Sequence, residues 1–471
     1  MKFCFEDLAH VNFTEEQRGY GEQPRNFIAS RDRTDHRDLN NGMSRYDVSP
    51  VVQSILHHAK YGDRFENTYV LDAERVDLSY EGKYVISVGV NHSPDDWTGP
   101  PISDSKYKIR RRSLFDDLIP KYLKDLQQQN ALLLIDQTHE GYTNHFLWKW
   151  FHHELKRYAI PASRIIYTSG DLNGTASYEK FCNESNISER MFVQPYAGFE
   201  KMIYSIVRAS HWYEHSFVFD KNMDLEEYWN FKTKFKRENL EKIKTYDCLQ
   251  KRSRGHRCWF YKYLLDAKLV KHGIVSTNRP PNHHAFHYEN RYISEEEFDR
   301  VQKNLPMIHG FDHHKTNDEY ISSNGGEFIT KINEELMLHS FVSVTSEAGF
   351  SDLLGQGQCF LSEKTFKPIS QCQPFIILGD KGSLEHMRQM GYKTFDGFID
   401  ESYDNLPTWE RMEAITNEIK KITQMTQQEK LDWYMSMKDI LIHNVSVMID
   451  NCDNKMPKPA ANMVEYIRKK L

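Results

Sequence analysis

Short apolar runs of strand character, each closing on a polar or glycine-bearing loop, punctuate this sequence and constrain its fold more than any other feature. Residues 83–91 form one such run and lead into the polar loop 92–97. Residues 132–135, Leu-Leu-Leu-Ile, form a second, followed by Asp136, Gln137, Thr138, His139 and Glu140. A third, 164–168, precedes the loop Ser-Gly-Asp-Leu-Asn-Gly at 169–174, and 247–250, 341–344 and 374–378 repeat the pattern in the second half. Between the runs the apolar spacing turns helical, with Leu114, Leu118, Tyr122 and Leu126 over 114–128 and another stretch over 144–158. Continuous apolar strands alternating with helices predict parallel sheets covered on both faces.

At 471 residues the chain exceeds what one core supports, so the pattern is expected to divide into two domains. The expected division has a polar N-terminal extension over 1–65, an α/β domain over 66–225 and a charged linker helix over 226–245. A second α/β domain follows over 246–425, and a C-terminal helical segment over 426–471 packs back toward the first domain. Within the second half, Ser383 is expected to cap a short helix that Gly391 ends, with 392–395 extended again. Thr426 and Glu429 form a capping box opening a long helix, whose apolar residues Leu431, Tyr434, Leu441, Val445 and Met448 share one face.

Composition removes several classes of function. No apolar stretch is long enough to cross a bilayer, and the first residues lack the apolar core of a secretory leader. Seven scattered cysteines, an odd number without a Cys-x-x-Cys pair, predict reduced thiols in a cytoplasm, here of a bacterium or a phage-infected host. A net charge of −6 rules out a general polycation, yet residues 230–257 hold ten Lys/Arg against three acids. That local field suits a phosphate or another polyanion, and a solvated basic helix face accounts for 232–244 equally well.

The chemistry concentrates around residues 341–379. A strand, 341–344, runs into Ser346 and Glu347; Ser362, Glu363 and Lys364 open a predicted helix; and a buried strand, 374–378, ends at Gly379. A carboxylate can accept two ribose hydroxyls, while a lysine and helix-terminal N–H groups can hold a diphosphate. A fixed cation there also stabilises the charge that grows on a diphosphate as it leaves. The same pair equally fits an ordinary helix start, with Glu363 facing the helix dipole and Lys364 solvated.

Phe341 and Ser346-Glu347, followed by Ser362-Glu363-Lys364-Thr365-Phe366, resemble the donor-binding signature of the fucosyltransferase-like glycosyltransferases. Residues 374–404 are similar to phage and bacterial members of that group, and the match covers roughly 340–405. Residues 247–257 look like the strand-then-arginine segment that opens the donor domain. The resemblance implies a GT-B architecture, two Rossmann-like domains facing a cleft, here with an N-terminal extension. It implies that Glu363 binds the donor ribose, Lys364 the diphosphate, Glu347 the sugar or ribose, and one of Arg252, Arg254 and Arg257 the phosphates. Ser362 stands where the family usually has Thr.

A catalytic base is expected from the N-terminal domain, after a buried strand. Glu140 is the first choice, then Asp95, with Asp136 and His139 beside Glu140 and with His92 and Asp96 beside Asp95; each cluster also fits loop capping. There is no Asp-x-Asp clip, and the histidines at 283, 284, 287, 309, 313 and 314 lack completing ligands, so no metal and no cofactor are expected. The leading function is transfer of a sugar from a nucleoside diphosphate sugar to an acceptor hydroxyl, with inversion if the family mechanism carries over. A glycan acceptor is preferred; hydroxymethylated pyrimidine in DNA, tracked by the basic residues 106–112 and 230–257, is the alternative. A non-catalytic nucleotide-sugar or glycan binding module is the reading from another class.

Overall fold

The structure, a computed structural model, describes residues 2–5, 82–89, 114–118, 120–138, 141, 143–209, 219–250, 254–277, 286, 288–289, 291–303, 307–309, 334–350, 357–454 and 458–471. These divide into two units, Met1–Gly198 with Lys455–Leu471, and Phe199–Asn454. Each is built on a mainly parallel sheet, as expected of two Rossmann-like α/β domains. Among the described residues, no helix is long and apolar enough to cross a membrane.

In the first unit β1 (Lys2–Phe5), β2 (Tyr84–Gly89), β3 (Ala131–Gln137), β4 (Ile165–Ser169) and β5 (Phe192–Val193) pair in sequential order, all parallel. Strand β1 lies within the stretch read from sequence as an extension; four residues are too short a run to stand out by composition. The helices are α1 (Pro120–Gln127), α2 (His145–Arg157) and α3 (Gly174–Glu184). The two-residue period of the strands divides the core between the faces of the sheet. Tyr84, Ile86, Leu133, Ile135, Ile165 and Tyr167 pack with Trp148, Phe151 and Phe181 of α2 and α3. Val85, Leu132, Leu134 and Ile166 face Ala460, Met463 and Ile467 of the C-terminal helix Lys458–Lys470. The helix expected over 114–128 starts as a 3-10 turn, Leu114–Asp117, and becomes α-helical only at Pro120, a residue suited to a first helical turn.

In the second unit α4 (Gly198–Ala209) and α5 (Leu225–Glu238) precede β6 (Lys244–Leu249), α6 (Gly255–Asp266) and β7 (Gly273–Thr277). Next come α7 (Glu295–Gln302), β8 (Met307–His309), α8 (Glu334–Leu338), β9 (Ser340–Ser346), α9 (Glu363–Ser370) and β10 (Phe375–Leu378). The strand order is β10-β9-β6-β7-β8, parallel except for the antiparallel β7–β8 pair. The chain leaves β6 toward β7 on one side and later returns to place β9 on the other. The sheet therefore reverses direction between β6 and β9, a topological switch point.

Helix α5 does not behave as a solvated linker. Lys232 and Lys236 are buried: Lys232 donates to Gln371 Oε1 (2.6 Å), and Lys236 to the carbonyls of Leu338 (3.2 Å), Met337 (3.3 Å) and Ser340. Asp247 beneath them accepts the hydroxyls of Ser340 and Ser343, each at 2.7 Å. Two of the ten basic residues in 230–257 thus serve the core of this unit.

After β10 come α10 (Ser383–Gln389), α11 (Thr408–Gln424), α12 (Gln427–Ser436), α13 (Lys438–Ile449) and α14 (Lys458–Lys470). The N-cap of α10 is Gly382 at φ 82°, not Ser383, and the Asp404 carboxylate supplies the missing acceptor to the Leu384 N–H at 3.2 Å. The capping box at Thr426 and Glu429 is present. The single long helix expected beyond it breaks at Met437, where the Ser436 hydroxyl bonds back to the Trp433 carbonyl at 2.7 Å and competes with the helical ladder. The six cysteines whose side chains are described, Cys182, Cys248, Cys258, Cys359, Cys372 and Cys452, are all buried and unpaired with one another.

Glu200, on α4, is buried and accepts hydrogen bonds on Oε1 from the Tyr392 hydroxyl and from Asn451 Nδ2 (2.9 Å). Burial pushes its carboxyl up from 4.5 to about 7, against the pull of these donors and of Lys201. Between those values the folded chain holds a proton that the unfolded chain has lost, so this contribution to stability declines as pH rises from 4.5 to 7. Glu200→Gln keeps the accepting oxygen and is expected to remove a loss of about 3 kcal/mol across that window. Urea denaturation of both proteins at pH 5 and pH 7.5 measures this, and parallel pH profiles would contradict it.

Candidate functional site

The switch point of the second sheet carries a buried polar cluster centred on Glu347. Glu347 continues β9 by one residue, its N–H donating to the Leu378 carbonyl at 2.9 Å, and is fully buried. Its Oε1 accepts the Ser362 N–H (3.0 Å) and the Thr365 hydroxyl (2.6 Å), while Oε2 accepts the Ser362 hydroxyl. Its carbonyl accepts His256 Nε2 (3.0 Å) and an Arg257 guanidinium N–H (2.9 Å). One residue therefore ties the starts of α6 and α9 to the ends of β9 and β10.

Both helix starts point cationic side chains at this place. Arg254, the N-cap of α6, donates to the Ala348 carbonyl at 2.7 Å, and buried Arg257 also donates to the Ser346 carbonyl at 2.9 Å. Burial and the neighbouring Arg254 bring Arg257 down to about 10. Burial, with Arg257, Arg254 and Lys364 close by, holds His256 near 3 despite its bond to the Glu347 carbonyl. The ring is neutral at physiological pH, and Nε2 carries the proton it donates.

On α9, Ser362 is the N-cap and accepts from the Lys364 N–H. Lys364 Nζ lies 2.7 Å from Glu363 Oε1 and 3.0 Å from Ser362 Oγ, with its side chain 24% exposed. Burial would raise the Glu363 carboxyl, but Lys364 and Lys367 outweigh it and hold the group below the usual glutamate range. Lys367, one turn on, is buried and falls to about 8 through desolvation, with Glu363 opposing. An anionic ligand placed here would strengthen the protonated forms of Lys367 and Arg257.

Three buried polar atoms at the carboxyl ends of adjacent strands have no hydrogen-bond partner among the described residues: Oγ of Ser346, the last residue of β9; Oε1 of Gln250, just after β6; and Oγ1 of Thr277, the last residue of β7. Each unmatched group costs about 1–3 kcal/mol, which a hydrogen-bonding ligand at this edge would recover. Two helix N-termini, at least three cations and leftover hydrogen-bonding capacity make the edge suited to a polyanion with hydroxyl groups.

The sequence-predicted residues Ser346, Glu347, Ser362, Glu363, Lys364, Arg254 and Arg257 are thus brought to one end of one sheet. Asp136 lies in the first unit, buried at the end of β3, where Oδ1 accepts the Thr138 N–H at 2.8 Å. Arg252, His139, Glu140, Asp95, His92, Asp96, the basic residues 106–112 and the histidines 283, 284, 287, 313 and 314 lie outside the described residues. So does most of the N-terminal extension, 6–65, and of His309 only the β8 backbone is described. No group of three or more metal-ligating side chains occurs among the described residues. Sequence reasoning gave no role to His256, Thr365 or Lys367. Thr365 and Lys367 stand three and four residues from Ser362 and Glu363, the spacing by which helical periodicity could have found them, whereas His256, next to Arg257, carries no such signal.

Truncating the junction should be costly. Glu347→Ala leaves the Ser362 N–H and the Ser362 and Thr365 hydroxyls without their charged acceptor and is expected to destabilise the chain by about 3 kcal/mol. Glu347→Gln, which keeps one oxygen, is expected to lose less. Urea unfolding midpoints check the ranking, and an unchanged midpoint in the alanine variant would contradict it.

No family model and no curated protein matches this chain. Among solved structures, it is similar to an α,α-trehalose 6-phosphate synthase from Burkholderia multivorans, at 10% identity over 82% of this chain and 70% of that one, with a TM-score of 0.37. It is also similar to an α,α-trehalose-phosphate synthase (UDP-forming) from Burkholderia vietnamiensis, at 9% identity over 74% of this chain and 77% of that one, with a TM-score of 0.35.

Proposed function

We propose that this chain is a glycosyltransferase that moves a sugar from a nucleoside diphosphate sugar to an acceptor hydroxyl, with the donor held in the second unit. The observation that carries the reading is the convergence of Arg254, Arg257, Lys364 and two helix starts on the switch point between β6 and β9. In the proposed site Lys364 and the arginines face the diphosphate, and Glu363 accepts ribose hydroxyls. Glu347 acts as a positioning residue, because its carboxylate is engaged by Ser362 and Thr365.

In the reaction the acceptor oxygen bonds to the anomeric carbon and the carbon–oxygen bond to the diphosphate breaks. The diphosphate keeps the electron pair and the base takes the acceptor proton. Fixed cations stabilise the departing charge without reorganising, which makes a divalent metal unnecessary. The base belongs to the first unit in this reading, with Glu140, Asp136, His139 and Asp95 as its candidates. Direct displacement inverts the anomeric centre, as the fucosyltransferase-like resemblance of 340–405 implies.

A glycan acceptor is favoured over DNA by the fate of the basic stretch. Lys232, Lys236 and Arg257 are buried, and exposed Lys234 sits 3.9 Å from Glu238, so 230–257 does not offer a continuous surface to a phosphate backbone.

Lys364→Ala is expected to lower kcat/KM for transfer by about 2–4 kcal/mol of transition-state stabilisation, and wild-type activity is expected to persist in excess EDTA. Steady-state transfer or donor hydrolysis across a panel of nucleotide sugars measures both. Unchanged kinetics in the variant, or activity restored only by manganese or magnesium, would contradict the site or its chemistry. Nucleotide binding with neither transfer nor hydrolysis would point instead to a non-catalytic binding module.

A further inference from the structure

A nucleoside diphosphate presents a flat aromatic base as well as two phosphates, and the cationic cluster addresses only the phosphates. Two aromatic rings lie against that cluster through His256, and of the two Phe350 is fully buried whereas Tyr288 is not. Tyr288 packs on the first turn of α6, where a Cβ added to Gly255 would stand 2.8 Å from its Cδ2 and 3.1 Å from its Cγ. Only glycine at 255 lets the ring settle there. The Tyr288 and His256 ring centroids are 5.8 Å apart, and His256 bonds the carbonyl of Glu347 at the centre of the site.

The ring is held in place by a tight bend. Residues 288 and 291 exchange backbone hydrogen bonds of 3.1 and 2.9 Å, with Glu289 between them in the left-handed region at φ 45°. That conformation is disfavoured for glutamate and persists only where its surroundings enforce it. Here the Glu289 carboxylate accepts the Thr408 hydroxyl at 3.0 Å, and the Arg291 guanidinium lies 4.0 Å from the centroid of Trp409. Trp409 in turn meets Tyr288 edge-on, at 6.0 Å and 82°. Tyr288 is nonetheless only half-buried, and Tyr292 beside the bend is 64% exposed. A strained bend braced on the start of α11 to hold a partly open ring beside an anion site is more than packing alone requires.

We propose that Tyr288 is the nucleobase platform of the site in the second unit, stacking on the base of the donor nucleotide while the cluster around Lys364 holds its phosphates. The inference rests on the donor reading above. Stacking tolerates any base, so the platform contributes affinity, and selection among bases falls to polar groups along the same edge. Gln250 Oε1 and Thr277 Oγ1, with Ser346 Oγ, are buried groups there with hydrogen-bonding capacity to spare.

The test compares two probes on the full chain by isothermal titration: the nucleoside diphosphate that binds best among UDP, GDP, ADP and CDP, and inorganic pyrophosphate, which has no base. Tyr288→Ala is expected to weaken the nucleotide about tenfold while leaving pyrophosphate within about twofold, and Tyr288→Phe, which keeps the π-face, to bind both as wild type does. Equal losses for both probes, or no loss for either, would overturn the platform while leaving the nucleotide site standing. If the wild-type chain bound none of the four nucleotides, the donor reading and the platform would both fall. Should Tyr288→Ala not fold, Tyr288→Leu retains bulk against Gly255 without an aromatic face and carries the same comparison.

Discussion

Five hydrogen bonds to the carboxylate and carbonyl of Glu347 set the geometry on which the rest of the candidate site depends. The carboxylate gathers the N-cap and first turn of α9, while the carbonyl receives His256 and Arg257 from the first turn of α6. A buried carboxylate is costly unless its oxygens are matched, and here Ser362 and Thr365, its donors, belong to the start of α9, one of the elements that must be aligned. The same bonds that make the charge tolerable therefore fix two helix starts, and with them Arg254, Arg257 and Lys364, at one end of the sheet.

That arrangement explains the electrostatic character of the region. Burial of these cations is costly, and like charge from their neighbours adds to it, which is why Arg257 and Lys367 titrate below their ordinary ranges. Glu363 offsets part of this by remaining ionised between Lys364 and Lys367. A site with unfavourable like-charge terms and open hydrogen-bonding capacity is preorganised for an anion, because the ligand relieves a cost already present in the folded chain. The first unit differs at the equivalent edge. Asp136 and Asp171 are buried there, and Asp171 accepts the Thr143 hydroxyl. Acidic and hydroxyl groups suit an uncharged polyhydroxyl partner better than a phosphate.

Much of this was legible in the sequence, and the failures have physical causes. The strands at 132–135, 164–168, 341–344 and 374–378 were readable because both faces are covered, so their apolar runs are continuous. The helix start at Ser362, Glu363 and Lys364 was readable because these residues act through neighbouring positions on one helix turn. Strand order was not readable: nothing local states that β9 lies beside β6, and without that the switch point and the meeting of Arg257 with Glu347 stay hidden. The solvated-face reading of 232–244 fails at Lys232 and Lys236 for a related reason. A lysine that caps carbonyls in a core looks, in one dimension, like one on a solvated face, and Lys232 and Lys236 show the difference only through Gln371 and Ser340. The role of Glu347 is tertiary in the same way, since its partners Ser362 and Thr365 lie 15 and 18 residues away.

The most direct measurement of the central claim is a crystal structure of the chain with a nucleoside diphosphate bound. The account predicts density for the diphosphate at the starts of α6 and α9, within hydrogen-bonding distance of Lys364 and of Arg254 or Arg257, with the Glu347 bonds to Ser362 and Thr365 intact. A nucleotide bound elsewhere, or phosphates seated here only after Glu347 has released Ser362, would contradict it.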